Sequence, residues 1–199
     1  AGGIERLEIV NAVEIPDSPE LFCPGAAAEA FYPLDRDVRD RSGPLQMGNG
    51  HDAVVWGGTL EAADRWNCPE GGYAFGGGGD SLRVPDADGL DLLSGGTLAL
   101  WVYPRSFFPF SGLIHKGDNP SFDDEAYTLQ FGGPHPTIAA SENQLYFALR
   151  DIAGNVVSVD SPQALSLEEW VHVAVTWDPF DAAELVLYLD GVRVSEVSL

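Results

Sequence analysis

One short acidic segment of the chain gathers side chains of the kind that bind metal ions. Residues 116–125 read Lys-Gly-Asp-Asn-Pro-Ser-Phe-Asp-Asp-Glu and hold four carboxylates. Calcium takes six to eight oxygen ligands from carboxylates, amides and carbonyls, and a compact acidic loop supplies several of them. The segment therefore predicts a calcium site with Asp118, Asp123, Asp124 and Glu125 as ligands. The alternative is a solvated acidic loop in an acidic protein.

Two further acidic groups are weaker metal candidates. Residues 86–91 have the spacing D-x-D-G, but they lack the glutamate at the twelfth position that completes an EF-hand loop. A turn after Pro85 explains these residues equally well. Asp35, Asp37 and Asp40 form the third group, which is most simply a polar loop.

The sequence offers little for catalysis on polysaccharides. Glycoside hydrolysis requires two carboxylates at a set separation, and the candidate strands 98–103, 126–131, 144–150 and 170–177 contain almost no internal acids. A lyase would need a groove of basic, Tyr and His side chains to neutralise a uronate. We therefore expect no enzymatic activity. The residues that fit such a groove, or a noncatalytic ligand site, are His115, Asn119, Tyr127, Tyr146 and Arg150. Their alternative role is that of ordinary sheet residues with polar tips.

The charge of the chain limits its partners. It carries 31 acidic and 10 basic residues, for a formal net charge of −21, and Lys116 is its only lysine. Nucleic acids and anionic lipids need clustered Lys and Arg, so we expect neither as a partner. No apolar run approaches the roughly 20 residues of a membrane-spanning helix. Cys23 and Cys68 form either one disulfide, in an oxidising compartment, or two reduced thiols.

Short apolar runs separated by glycine and proline predict an all-β fold. Strands are expected at Ile4–Val10 and at seven places in the second half: 98–103, 112–116, 126–131, 144–150, 156–160, 170–178 and 184–190. The last run is almost continuously apolar, so we expect it to be buried on both faces. Asp190-Gly191 then predicts a two-residue hairpin turn, because both residues tolerate positive φ.

Other segments are less regular. Ser18–Leu21 and Ser166–Glu169 each have the pattern of a single helical turn with serine as N-cap. Residues 56–67 fit either a short helix or an insertion loop. The Phe107-Phe108-Pro109-Phe110 segment is either an exposed contact patch or an apolar lid over the edge of the sandwich.

The order of several motifs resembles that of laminin G-like domains. Residues 73–85 look like the early hairpin of that family, and Gly96–Pro104 is similar to its next, tryptophan-containing strand. Trp170-Val171-His172-Val173-Ala174-Val175-Thr176-Trp177-Asp178 and Leu187-Tyr188-Leu189-Asp190-Gly191 match the family patterns W-x-H-V-A-V-T-W-D and L-Y-x-D-G. The resemblance covers residues 73–195 and implies a two-sheet antiparallel jelly-roll sandwich of the concanavalin A-like kind. Within it, the 118–125 loop lies where the related pentraxin lectins place part of their calcium site.

The resemblance alone implies no particular ligand, but together with the lack of paired acids on the strands it favours a noncatalytic, secreted or cell-surface module for recognition or adhesion. Its expected partners are carbohydrates or glycoconjugates, or a surface protein, with calcium assisting, and neighbouring repeats of the same fold. The alternatives are a structural spacer in a repetitive surface protein and a polysaccharide lyase or glycoside hydrolase, because this fold hosts all of these.

The closing motif of the family stands at the start of this chain. Gly3–Ala12 is similar to the pattern G-x-I-D-E-V-R-I-Y-N-R-A, and Ser18–Leu21 takes the place of the S-x-x-E that follows it. We therefore expect residues 1–199 to form one domain in which residues 1–22 supply the displaced closing strand. The domain is either circularly permuted or an excerpt from a tandem array. In both cases residues 4–10 should fill a slot within a sheet, because an empty slot would leave backbone groups unpaired.

Overall fold

A computed structural model describes residues 28–43, 48–92, 95–117, 126–134, 138–150, 154–180 and 184–199, together with the backbone of residues 2–10. Fourteen strands and one short 3-10 helix (Asp88–Asp91) lie within these ranges. The strands are β1 (Gly2–Val10), β2 (Ala28–Tyr32), β3 (Val54–Trp56), β4 (Leu60–Ala62), β5 (Gly72–Phe75), β6 (Ser81–Arg83), β7 (Gly96–Pro104), β8 (Gly112–Lys116), β9 (Tyr127–Phe131), β10 (Leu145–Arg150), β11 (Val156–Asp160), β12 (Val171–Asp178), β13 (Glu184–Leu189) and β14 (Val192–Ser198).

The strands form two main sheets. The larger sheet has eight strands in the order β14-β13-β12-β7-β1-β5-β4, with β2 also paired to β1. The smaller sheet has the order β11-β10-β9-β8, and β3 pairs with β6 in a separate two-stranded ribbon. The paired strands are antiparallel. The predicted all-β jelly-roll sandwich is therefore confirmed.

Alternation along each strand builds the core between the two main sheets. Successive side chains of a strand point to opposite faces, so every second residue can be apolar and buried. On β7, for example, Leu98, Leu100 and Val102 lie in the core. On the facing sheet, Phe147 of β10 packs against Trp177 of β12, with ring centroids 5.7 Å apart. Their burial stabilises the sandwich by removing apolar area from water.

The first strand occupies the slot that the sequence predicts for it. One edge of β1 pairs with β7. Its other edge pairs with β5 through Gly2–Ile4 and with β2 through Leu7–Val10. The strand is thus flanked on both sides and satisfies the backbone groups of three neighbours.

The second half follows the sequence predictions closely. All seven strands expected there are present, and β13 is buried along its middle four residues, as its continuous apolar run indicates. Asp190 and Gly191 have φ values of 49° and 76°. Both central residues of this two-residue turn therefore have positive φ, which matches the twist of an antiparallel hairpin.

Three local predictions need correction or completion. The early hairpin expected at residues 73–85 is wrong, because β5 joins the larger sheet whereas β6 pairs with β3. The helical turn at Ser166–Glu169 is also wrong: the chain forms a plain turn in which Glu168 has φ 61°. Residues 56–67 are neither helix nor simple loop, because they include the edge strand β4. Ser18–Leu21 lies outside the described residues.

The phenylalanine segment after β7 combines both expected roles. Phe107 packs edge-on against Phe131 of the core, with centroids 5.2 Å apart and planes at 71°. Phe108, its neighbour, is 61% exposed. Phe107 therefore covers the edge of the core, whereas Phe108 exposes an apolar side chain to solvent.

Candidate functional site

The ligand residues predicted from the sequence do not lie on one face of the smaller sheet. Tyr127 points inward and is 4% exposed. Its hydroxyl donates to the carbonyl of Leu90 (2.9 Å) and its ring packs against Trp177. Burial, with a smaller contribution from Asp91, raises the pKa of Tyr127 above its usual range. The prediction that Tyr127 contacts a ligand is therefore wrong, because the residue belongs to the core.

The other three described candidates share the opposite, outer face of that sheet. Tyr146 and Arg150 belong to the outward row of β10, and His115 stands opposite Thr128 on the same side. Tyr146 is covered by Ile138 and Ala140. Arg150 donates to the carbonyl of Gly154 (3.0 Å), and His115 is exposed. His115, Tyr146 and Arg150 therefore lie on the same face of the sheet. Tyr146 is buried there, so little of its side chain is accessible to a ligand.

The predicted calcium ligands fall outside the part of the chain that the structure describes. These ligands, Asp118, Asp123, Asp124 and Glu125, lie in residues 118–125, as does Asn119, which was predicted to contact a ligand. Within the described ranges, no group of three or more His, Cys, Asp or Glu side chains is placed to hold a metal ion. The calcium site remains a prediction.

The D-x-D-G segment is organised by a lysine. Asp86 and Asp91 both form ion pairs with Lys116, the latter at 3.1 Å. Burial acts to lower the pKa of Lys116, but the hydrogen bonds and charges of the two aspartates outweigh it and raise that pKa. The ammonium offsets part of the charge of these two carboxylates, and their ion pairs give the segment a structural explanation.

The third acidic group contains a buried structural carboxylate. Asp40 is 3% exposed and accepts the backbone N–H groups of Phe31 (3.0 Å), Ser42 (2.9 Å), Asn49 (2.8 Å) and His51 (3.4 Å). It therefore links Ser42, Asn49 and His51 to Phe31 of strand β2. The prediction of a polar loop is correct, although one of its carboxylates is buried.

Neither cysteine prediction is settled by the described residues. Cys68 is exposed in the loop between β4 and β5, and Cys23 lies outside the described ranges. The disulfide stays a prediction.

An aromatic cluster on the outer face of the larger sheet is the strongest candidate for a binding site. We call this cluster the aromatic site. Its members come from the loop of residues 63–71, from β7 and its end, and from the start of β12. They are Arg65, Trp66, Trp101, Tyr103, Arg105, Trp170 and His172.

The rings of the aromatic site are in contact across two strands. Trp101 lies against His172 with ring centroids 5.2 Å apart, and Tyr103 lies against Trp170 at 5.3 Å. Register explains the first pair, since Trp101 and His172 stand directly opposite each other on β7 and β12. Trp101 and Tyr103 are two residues apart, so they project from the same face, opposite to the core residues between and beside them.

The guanidinium of Arg65 joins the loop to the sheet. Its Cζ lies 3.8 Å from the ring centre of Trp66 and 4.2 Å from that of Trp101. These distances are within the range of a cation–π contact. Trp66 is 61% exposed, whereas Trp101 is half-buried beneath the arginine. The stack therefore presents an indole to solvent.

A carboxylate fixes the shape of the loop that carries Arg65 and Trp66. Asp64 accepts the backbone N–H groups of Trp66 (2.9 Å) and Cys68 (2.7 Å). Aspartate side chains commonly stabilise turns in this way. A side chain at Gly71 would meet the Asp64 carboxylate at 2.8 Å, so glycine is needed for this close approach. The Asp64 side chain thus stabilises the turn that carries Arg65 and Trp66.

Sequence reasoning missed this site because its residues are distant along the chain. The available signals were the adjacent Arg65-Trp66 pair in a polar loop and the Trp101-x-Tyr103 alternation on a strand. In the sequence, Trp101 and His172 lie in motifs shared with laminin G-like domains, and these motifs do not indicate a ligand surface. Their contact with Arg65 depends on the pairing of β7 with β1 and of β1 with β5, which no local pattern reveals.

No helix in the described ranges has the length and apolar character needed to cross a membrane.

Comparison with known proteins places the fold. Residues 76–199 match a laminin G-like family model described as the concanavalin A-like lectin/glucanases superfamily. A native heptameric SAP-like pentraxin from Limulus polyphemus is similar at 16% sequence identity, with a TM-score of 0.38. The alignment covers 53% of this chain and 44% of the pentraxin, so this chain spans less than half of its length. No curated protein sequence matches. The match to the family model covers more than half of the residues of this chain. The chain therefore belongs to the concanavalin A-like lectin/glucanase superfamily.

Proposed function

We propose that the protein is a noncatalytic recognition module that binds carbohydrate at the aromatic site. The observation that carries the proposal is the stack of Trp66 over Arg65 and Trp101, which presents an exposed indole at a turn stabilised by Asp64. A flat aromatic ring packs well on the apolar face of a pyranose. Membership in a superfamily that includes lectins supports the same reading.

The noncatalytic part of the proposal rests on the residues around the rings. Thr97, Ala99, Ala174 and Thr176 occupy the middle of the outer face of β7 and β12. Hydrolysis of a glycosidic bond needs a carboxylic acid and a second carboxylate on either side of it. These four side chains are neutral and at most 4% exposed, so the middle of this face offers no carboxylate for bond cleavage.

The proposal extends to the location of the protein and to calcium. Glycan recognition fits a secreted or cell-surface module, where such ligands are displayed. Calcium bound by Asp118, Asp123, Asp124 and Glu125 would assist by stabilising the loop after β8, and that part is tested separately from the aromatic site.

A glycan array with matched tryptophan variants tests the proposal. Trp66→Ala should abolish binding to every glycan that the native protein recognises. Trp56→Ala is the control, because Trp56 is 53% exposed and also lies under an arginine, Arg83, but on β3. Arrays run with calcium and with EDTA separate a metal contribution from stacking. Absence of binding to any glycan, or equal loss in both variants, would refute the assignment.

A further inference from the structure

The ribbon of β3 and β6 exposes an apolar strip on the surface of this acidic protein. Val54 is 56% exposed, Val55 41% and Trp56 53%, so all three residues of β3 reach solvent. Leu60, which follows the turn after β3, is 69% exposed. Single exposed apolar side chains are ordinary, but several together indicate a surface that contacts another molecule.

The pairing of the two strands places an arginine beside this strip. Val54 stands directly opposite Arg83, and Trp56 is two residues further along β3, so the three side chains project from the same face. The Cζ of Arg83 lies 4.4 Å from the ring centre of Trp56, within the range of a cation–π contact. The opposite face turns towards the core through Leu82. We call the face that carries Val54, Trp56 and Arg83 the ribbon face.

Arg83 has no acidic partner within the described ranges. Arginines 36, 39, 41 and 193 and the single lysine lie within 4.0 Å of aspartate or glutamate oxygens. Arg83 is exposed and instead donates through Nε to the hydroxyl of Ser81 (3.2 Å). Contact with a ring uses the face of the guanidinium, whereas its N–H groups lie in the plane and fit a carboxylate as a fork. The terminal N–H groups of Arg83 therefore remain for a carboxylate from another molecule.

Hydrogen bonds stabilise the backbone that follows Trp56. The carboxylate of Asp80 accepts the N–H groups of Gly58 (2.5 Å) and Gly76 (2.7 Å). The hydroxyl of Thr59 donates to the carbonyl of Trp56 (2.9 Å). Because these contacts already order the turn after β3, little further ordering of this backbone is needed on binding, which favours affinity.

The form of β3 favours an extended polypeptide as the occupant. Within the described part of the chain, β3 pairs with β6 alone, so its other edge has no neighbouring strand. Soluble proteins commonly protect such edges with charged residues or proline, and β3 contains neither. An extended segment can add to an exposed edge through backbone hydrogen bonds and bring alternate side chains against the surface.

We propose that the ribbon face binds an extended peptide segment of a partner protein. The segment lies along β3, its apolar side chains contact Val54 and Trp56, and one aspartate or glutamate accepts hydrogen bonds from Arg83. The net charge of −21 repels a second copy of this chain, whereas one isolated carboxylate complements one uncompensated guanidinium. The ribbon face shares no residue with the aromatic site, so this inference is independent of the proposed function.

Selection from a random octapeptide display library on the native protein tests the inference. We expect the enriched sequences to carry one Asp or Glu among apolar residues. The affinity of selected peptides is then measured by fluorescence polarisation. Trp56→Ala should weaken binding by about tenfold or more, as is usual for a tryptophan in the centre of an interface. Trp66→Ala is the control, because Trp66 is also exposed beneath an arginine, and it should leave peptide affinity within about twofold.

Charge variants test the role of Arg83. Arg83→Gln should weaken the acidic peptide about tenfold and leave the same peptide with Asn or Gln in place of its acid unaffected. Val54→Glu places a carboxylate directly opposite Arg83, where it competes with that of the peptide. The acidic peptide should therefore bind Val54→Glu about tenfold more weakly than Val54→Gln, which removes the same apolar contact without adding charge. Position 54 is exposed, so both variants should fold.

Several results would overturn this inference. They are the absence of any selected peptide that depends on Trp56, and equal affinity of the native protein for the acidic and neutral forms of the peptide. A dimer in analytical ultracentrifugation that Trp56→Ala dissociates would assign the ribbon face to a second copy instead. Loss of glycan binding in Trp56→Ala would assign it to a sugar. Failure of Trp66→Ala to affect glycan binding would count against the proposed function alone.

Discussion

Replacement of Asp40 should destabilise the protein more than replacement of an exposed charged residue in a loop. Asp40→Ala removes the acceptor for four backbone N–H groups, three of them at 3.0 Å or less. A hydrogen bond to a charged group contributes about 1.5–3 kcal/mol, and contributions that share one carboxylate do not simply add. We therefore expect a loss of about 3–5 kcal/mol in the free energy of unfolding. Asp40→Asn keeps one carbonyl oxygen and should cost about 2 kcal/mol.

Urea denaturation with a matched variant measures this loss. Asp35→Asn makes the same change of charge in the same loop, but the Asp35 side chain is 73% exposed and its nearest arginine nitrogen is 4.0 Å away. Its effect should be within about 0.5 kcal/mol, as for most surface substitutions. If Asp40→Asn and Asp35→Asn shift the urea midpoint equally, the buried carboxylate does not hold the loop as argued.

The contribution of Asp40 should also depend on pH. Burial acts to raise the pKa of Asp40, but hydrogen bonds from Ser42, Phe31 and Asn49 outweigh it and hold that pKa below its ordinary value. The folded protein therefore binds this proton less readily than the unfolded chain does. The stabilisation is fully present above about pH 4 and is lost as the pH falls through the folded pKa. The difference in stability between native protein and Asp40→Asn should shrink over that window. Acid also relieves repulsion among the other carboxylates, which stabilises both proteins. Comparing the native protein with Asp40→Asn removes this shared effect.

Three further outcomes are expected. Calcium should raise the melting temperature relative to EDTA through binding to the folded state. The calcium site does not exist if the native protein has the same melting curve with calcium and with EDTA and if replacement of Asp123 and Asp124 by Asn changes neither curve. No reducing sugar and no unsaturated-uronate absorbance should appear on a panel of neutral and acidic polysaccharides, and either product would contradict the noncatalytic assignment. Deletion of residues 1–12 should prevent cooperative thermal unfolding, because it would leave β7 and β5 without the strand between them. An unchanged melting temperature would show that β1 does not contribute to the sheet.

The parts of the fold that the sequence predicted well are those governed by local patterns. β13 and the turn after it follow from a continuous apolar run and from two residues that tolerate positive φ. Strand β11 was located to the residue, because turn-forming residues bound an alternating run on both sides. Such signals depend on neighbours in the chain, which a sequence displays directly.

The errors arose where a distant partner decides the structure. The segment from β5 to β6 has the appearance of a hairpin, yet its two strands pair with different partners and belong to different sheets. Asp80 explains the sharp return of the chain between them, since its carboxylate accepts the N–H groups of Gly58 (2.5 Å) and Gly76 (2.7 Å). Tyr127 was misassigned for a similar reason, because only the pairing of β9 with β10 shows which face of the strand meets the core.

The two faces of β7 have different roles, which explains why family membership alone does not specify a ligand. Leu98, Leu100 and Val102 hold the sandwich together, while Trp101 and Tyr103 on the alternate face can change with little effect on the core. The family match begins at residue 76, so Arg65 and Trp66 lie outside it. The exposed indole and the arginine between the two rings therefore come from a part of this chain that the family pattern does not describe. Under the proposed function, the ligand is selected chiefly at Trp66, and substitutions of this exposed residue should alter glycan binding while the melting temperature stays nearly constant.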